Sequence, residues 1–79
     1  MKIIDELSVD ENFIAFYPML GNSYQLNEIG ANIIALLKEE KNREEILEEL
    51  SNNYDIDKNT LYIDINDFLS KLKIYGLLV

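Results

Sequence analysis

The hydrophobic pattern of this chain changes period once, at Asn27, and that change limits the folds open to it. Ahead of it the pattern is that of short strands. Ile3, Ile4 and Leu7 form an apolar patch broken by Asp5 and Glu6, and the first quarter as a whole reads as strand. Ser8 to Asn12 is polar, with Asp10-Glu11-Asn12 as a turn signal. Phe13 to Tyr17 is aromatic and β-branched and stops at Pro18. Met19-Leu20-Gly21-Asn22 is a connection whose Gly-Asn pair supplies the positive φ of a reversal. Ser23-Tyr24-Gln25-Leu26 then alternates as a short strand. Two or three antiparallel strands are expected, the last two as a hairpin.

After Asn27 the apolar residues recur at helical spacing. Asn27 is a good N-cap, Glu28 suits the positive end of a helix dipole, and Ile29, Ile33, Leu36 and Leu37 share a face. Gly30, Ala31 and Ala35 are small enough to let another element come close. Lys38 to Lys41 is a charged break. Asn42 and Glu45 have capping-box spacing, and Ile46, Leu47, Leu50 and Tyr54 make the buried stripe of a second helix. Glu44, Glu45, Glu48 and Glu49 cover its other side, as a solvated face does. A third helix runs from about Thr60 to Tyr75, capped by Asp57 or Asn59 and ended by Gly76. Leu61, Ile65, Phe68, Leu69 and Leu72 form its stripe, with Tyr62 near the border. Ile63 and Ile74 point almost opposite to Ile65, with Asp67 and Ser70 between them. Two isolated exposed isoleucines need no explanation; two on one line beside a strand edge also make a docking face. Leu77-Leu78-Val79 is an apolar tail that must cover something or pair with a partner.

The residue inventory removes whole classes of function. With 79 residues there is one domain, 1–79, which buries about three fifths of its surface and has no room for a deep enclosed pocket. There is no cysteine and no histidine, so disulfides, Cys or His zinc sites and His-dependent catalytic triads are excluded. Asp55, Asp57 and Asn59 alternate like the opening of a calcium loop, but Thr60 and Asn66 stand where its Gly and Glu belong. No Gly-rich phosphate loop appears. No cofactor, no metal and no catalysis are therefore expected. The net charge of −8 opposes nucleic acid and anionic membranes. Charge comes too early for a signal peptide, and no apolar run approaches the ~20 residues of a membrane span, so a cytoplasmic location is expected.

One segment, Gln25-Leu26-Asn27-Glu28-Ile29-Gly30-Ala31-Asn32-Ile33-Ile34-Ala35-Leu36-Leu37, resembles the strand-to-helix passage of the PqqD family, named for a small protein of pyrroloquinoline-quinone biosynthesis. Arg43-Glu44-Glu45-Ile46 with Leu50 and Tyr54-Asp55 is similar to the family's second helix. Asp64-Ile65-Asn66-Asp67-Phe68-Leu69 with Leu72 and Gly76-Leu77-Leu78 is similar to its third. The hairpin from Phe13 to Leu26, with Pro18 closing its first strand, also fits. Many relatives carry Trp where this chain has Ile34, and Gly near Glu39.

The resemblance implies an α+β, winged-helix-like fold, an N-terminal three-stranded antiparallel sheet followed by a three-helix bundle. It implies non-catalytic recognition of the leader of a ribosomally made precursor peptide, presented to a peptide-modifying enzyme such as a radical SAM enzyme or a lasso-peptide protease. In relatives the leader adds as a strand beside the third strand and packs on the third helix. The implied peptide-binding residues are Ser23, Tyr24, Gln25 and Leu26 on the strand, and Tyr62, Ile63, Asn66, Asp67, Ser70, Lys73 and Ile74 on the helix. An exposed strand edge is a template for such addition in any case. Two rival readings remain. A winged-helix DNA-binding protein would need a recognition helix carrying Asp64 and Asp67, the wrong sign for phosphate. A homodimerisation module would use the free edge and the apolar tail.

Overall fold

The computed structural model describes residues 3–18 and 21–77. It opens with a 3-10 turn, Ile3–Glu6, where the sequence suggested strand. The reason is spacing. Ile4 and Leu7 are both buried, and residues three apart eclipse on a 3-10 turn but fall on opposite faces of a strand. The first strand, β1, is Ser8–Val9, inside the segment that read as polar; pairing with its neighbour makes it a strand. β2 is Ile14–Tyr17 and β3 is Asn22–Gln25. The three form one antiparallel sheet in the order β1-β2-β3. Met19 and Leu20 of the expected connection lie outside the described residues. Gly21 supplies the positive φ, at 71°, and its N–H donates to the Tyr17 carbonyl.

The β1–β2 turn is held by Asp10, whose carboxylate accepts from the N–H groups of Asn12 and Ile14. Phe13 has a φ of 60° there, a left-handed conformation that costs a non-glycine residue about 1–2 kcal/mol. Its carbonyl is used at once, accepting the Leu26 N–H.

Three helices follow: α1, Glu28–Lys38; α2, Arg43–Asn53; and α3, Lys58–Ile74. Their starts are set by local side chains. The Asn27 side chain accepts from Gly30 N–H, Asn42 and Glu45 form a reciprocal capping box, and Asp57 accepts from Asn59 and Thr60. α1 and α3 end alike. In each, the third residue past the helix reaches back to a carbonyl near its end: Lys41 N–H to Leu36 and Leu77 N–H to Leu72. The left-handed residue is Glu40 in the first case and Gly76 in the second.

Ala15, Tyr17 and the half-buried Tyr24 face the helices, while Phe16 faces solvent. One core joins Ile4 and Leu7 to Ile33, Ile34 and Leu36 of α1, Ile46 and Leu50 of α2, and Leu61, Ile65, Leu69 and Leu72 of α3. α1 buries more than its expected stripe because it packs on both the 3-10 turn and α2; Ile34 is buried, and Ile29 and Leu37 are half-buried. Leu77, the first residue of the apolar tail, is buried; Leu78 and Val79 lie outside the described residues. Tyr54, just past α2, ties that end back to α1: its hydroxyl donates to Glu28 Oε2 at 2.6 Å and accepts from the Asn32 amide. The hydrogen bond to Glu28, burial and the Glu28 charge raise the phenol's pKa above its ordinary value, against a smaller opposing effect of Asn32.

Candidate functional site

In an antiparallel ladder, successive residues turn their N–H and C=O alternately toward and away from the partner strand. The bond from Leu26 N–H to the Phe13 carbonyl, 2.8 Å, fixes the phase for β2 and β3. With the register Ala15↔Tyr24 and Tyr17↔Asn22, those pairs bond to each other, and Ser23 and Gln25 turn their backbone groups outward. The other edge agrees. Asp10 N–H donates to the Ile14 carbonyl, so Ile14 and Phe16 serve β1 while Ala15 and Tyr17 serve β3. Among the described residues no strand covers the outer side of β3.

Beside that open edge runs a groove of about 420 Å³. Ser23, Tyr24, Gln25 and Leu26 make one wall, and Phe68, Lys71 and Tyr75 of α3 make the other. Its floor is apolar, from Leu7, Ala15, Ile34, Leu72 and Leu77. Tyr24 and Tyr75 stack across one end, their ring centres 4.7 Å apart and planes 19° from parallel. Such offset aromatic pairs are worth about 0.5–1.5 kcal/mol beyond the area they bury. Tyr75 is still 46% exposed and offers more surface to a ligand. The Gln25 side chain is occupied on the protein, donating to the carbonyls of Asn12 and Leu26, so its outward contribution is its backbone.

Phe68 closes the groove against α1. A Cβ placed on Gly30 would lie 3.0 Å from Phe68 Cε1, so the ring packs closely over the glycine and would have to give by a few tenths of an ångström for a larger residue. Past it, a second depression of about 240 Å³ continues along α3, lined by Asp64, Asp67 and Lys71 with Asn27, Gly30 and Ile33 opposite. Among the described residues Lys71 is the single charged one lining the first depression, and the two aspartates lie beyond it.

The residues expected at the site divide into three sets. Ser23, Tyr24, Gln25 and Leu26 line the main groove, and Asp67 lines its continuation. Ile63, Ser70 and Ile74 stand with Asp67 about 40–100° round α3 from Lys71, on the exposed shoulder beyond the groove. Tyr62, Asn66 and Lys73 do not join them. They lie about 140–180° from Lys71, on the flank of the helix turned away from β3. Phe68, Lys71 and Tyr75 take the places that were expected of those three. By sequence Phe68 reads as core and Tyr75 as a helix end, while Lys71 and Lys73 read either as cations suited to a helix C-terminus or as cations that meet acids in a leader. Their four- and three-residue spacing was the available signal, but only the position of β3 shows that it faces a groove.

A third depression, of about 290 Å³, sits over the acidic face of α2, between Asn42, Glu44, Glu45, Glu48 and Glu49. Among the described residues no group of acidic side chains is arranged to hold a metal ion, and no helix is long and apolar enough to cross a membrane.

Comparison with known proteins places these features in context. The family model described as coenzyme PQQ synthesis protein D (PqqD) matches residues 9–78. A solved structure described as "TbiB1 in Complex with the TbiA(beta) Leader Peptide" is 31% identical, with a TM-score of 0.82 over 99% of this chain and 94% of that one. A second, "Lasso peptide synthetase B1 complexed with the leader peptide", is 19% identical, with a TM-score of 0.76 over 90% of this chain and 85% of that one, and shares the fold. No curated protein sequence matches.

Proposed function

The chain belongs to the PqqD family, and from that premise we propose that it is a non-catalytic module that binds the leader of a ribosomally synthesised precursor peptide by strand addition and presents it to a modifying enzyme. The observation that carries this reading is the outward N–H and C=O of Ser23 and Gln25 beside the groove between β3 and α3. A peptide laid there becomes a fourth strand. Its main chain bonds to β3 and its alternate side chains enter the groove. The 31% identical neighbour, solved with a leader peptide, supports the same occupant. Ser23, Tyr24, Gln25, Leu26, Phe68, Lys71 and Tyr75 are the proposed contacts. A fourth strand lies one strand spacing, about 4.8 Å, beyond β3, and Ile63, Asp67, Ser70 and Ile74 on the α3 shoulder are proposed as its outer contacts. The modifying enzyme is proposed to be of the lasso-peptide or radical SAM class.

Isotope-edited NMR with the leader of a precursor encoded beside this chain tests the reading. The amides of Ser23 and Gln25 should gain protection from hydrogen exchange, while that of Tyr24, already bonded to β2, should change little. Protection of α2 instead, with β3 unchanged, would place the peptide elsewhere and overturn it. Modification or cleavage of a precursor by the purified chain alone would overturn the non-catalytic part.

A further inference from the structure

We propose that the groove selects, among peptides able to pair with β3, a segment in which a basic, an acidic and an aromatic or large apolar side chain occupy alternate positions. This rests on the strand-addition reading and specifies the chemistry it leaves open. Three α3 side chains border the groove in succession: Asp67, Lys71 and Tyr75. They are four residues apart, so each step advances about 6 Å along the helix. Two residues of an extended strand advance about 6.6–6.8 Å. Alternate side chains of a strand running along α3 therefore stay in step with all three, drifting by less than about 2 Å.

The order follows from how the elements lie. Tyr75 stacks on Tyr24, whereas Asp67 and Lys71 share a depression with Asn27, two residues past the end of β3. So α3 runs back along β3. Both strand pairs of the sheet are antiparallel, and a fourth strand in the same mode meets Asp67 first, Lys71 next and Tyr75 last. From its N-terminus the peptide then reads basic, acidic, aromatic, one residue intervening each time.

The two charged groups are available for this. An acid four residues before a lysine is the favourable order for an ion pair on a helix. Yet Asp67 and Lys71 are exposed and, among the described residues, neither side chain forms an ion pair or hydrogen bond with the other or with anything else. Lys71 matters out of proportion to its single charge. The chain carries −8 overall, so an acidic peptide residue is repelled in general and finds its one favourable position in the main groove beside this ammonium.

The test uses two blocked nonapeptides. One has lysine, glutamate and phenylalanine at its third, fifth and seventh positions and threonine elsewhere; the other has the lysine and glutamate exchanged. In NMR titrations at low salt the first should bind roughly tenfold more tightly, since the exchange replaces two exposed attractions by two repulsions. The preference should vanish in 1 M salt, where screening is short-ranged, and invert in an Asp67→Lys, Lys71→Glu double variant. Equal affinities, a preference for the exchanged peptide, or no binding of either overturns the inference. The amides of Ser23 and Gln25 separate this failure from that of the parent reading. If both peptides bind alike and shift those amides, strand addition stands and the charge order falls. If they bind without shifting them, strand addition at β3 falls too.

Discussion

α3 carries isoleucines and leucines on two sides, and they meet opposite fates. Leu61, Ile65 and Leu72 are 0–3% exposed and close the core, whereas Ile63 and Ile74, on the same helix, are 59% and 81% exposed. α2 shows no such division: its exposed residues are all polar or charged, Arg43, four glutamates, Asn52 and Asn53. The difference teaches that the apolar strip of α3 is not a by-product of an apolar chain. One side of the helix supplies stability, and the groove and shoulder side is the one proposed to meet the peptide.

The sharpest way to break this division is to cut into each side. Ile65→Ala should cost about 2–5 kcal/mol, as a fully buried side chain removed from a close-packed site. An unchanged thermal midpoint would mean that the inner side does not hold the fold.

Gln25→Pro attacks the other function. It removes an outward N–H that β2 does not use, so leader titration by calorimetry should show binding lost while helicity by circular dichroism stays near that of the parent. Gln25→Ala keeps the N–H and should bind nearly as the parent does. Tyr24→Pro removes a bond to Ala15 instead and should lower stability itself. Normal binding by Gln25→Pro would detach function from the β3 edge.

Ile74→Asp sharpens the contrast on α3 alone. Its midpoint should stay within about 0.5 kcal/mol of the parent in stability, because an exposed site has no cavity to lose. Leader affinity should fall about tenfold, from charge set against an apolar contact. Glu48→Ala on α2 is the matched control, and an equal loss there would move the docking surface to α2.

The smallest effect is in pH. The folded state raises the Tyr54 pKa, chiefly through its hydrogen bond to Glu28. The resulting stability is fully present below the unfolded tyrosine value of about 10 and is lost as pH rises through the higher folded value. The thermal midpoint should therefore be flat near neutrality and fall above about pH 10, more steeply than in Tyr54→Phe. Equal slopes would show that the tie between α1 and α2 contributes nothing.

What the sequence made legible was whatever neighbours along the chain decide. Asn27, the Asn42–Glu45 box, Asp57 and Gly76 mark helix ends because a cap is a contact within three or four residues. The 3-10 turn at Ile3–Glu6 was not legible, since Ile3, Ile4 and Leu7 read together as one apolar patch and only burial shows that the Ile4–Leu7 spacing sets the conformation. β1 was not either: Ser8–Val9 has no strand composition and is made by its partner. The site split the same way. The alternating β3 wall could be read directly, and so could the exposure of Ile63 and Ile74. The opposite wall could not, because Tyr75 becomes part of a groove only by meeting Tyr24. Tyr62, Asn66 and Lys73 were placed by belonging to the right helix, without the direction of β3 to say which side faces it.

Gly30 gives the groove an adjustable depth. With no side chain there, the Phe68 ring settles against α1, and a methyl would meet it at 3.0 Å. Alanine would favour the helix by about 1 kcal/mol, yet its methyl would make the Phe68 ring at the end of the groove give by a few tenths of an ångström. A residue with no side chain thus acts as a shim between two helices. Varying its size is a route to changing which peptides fit while leaving every contacting residue in place.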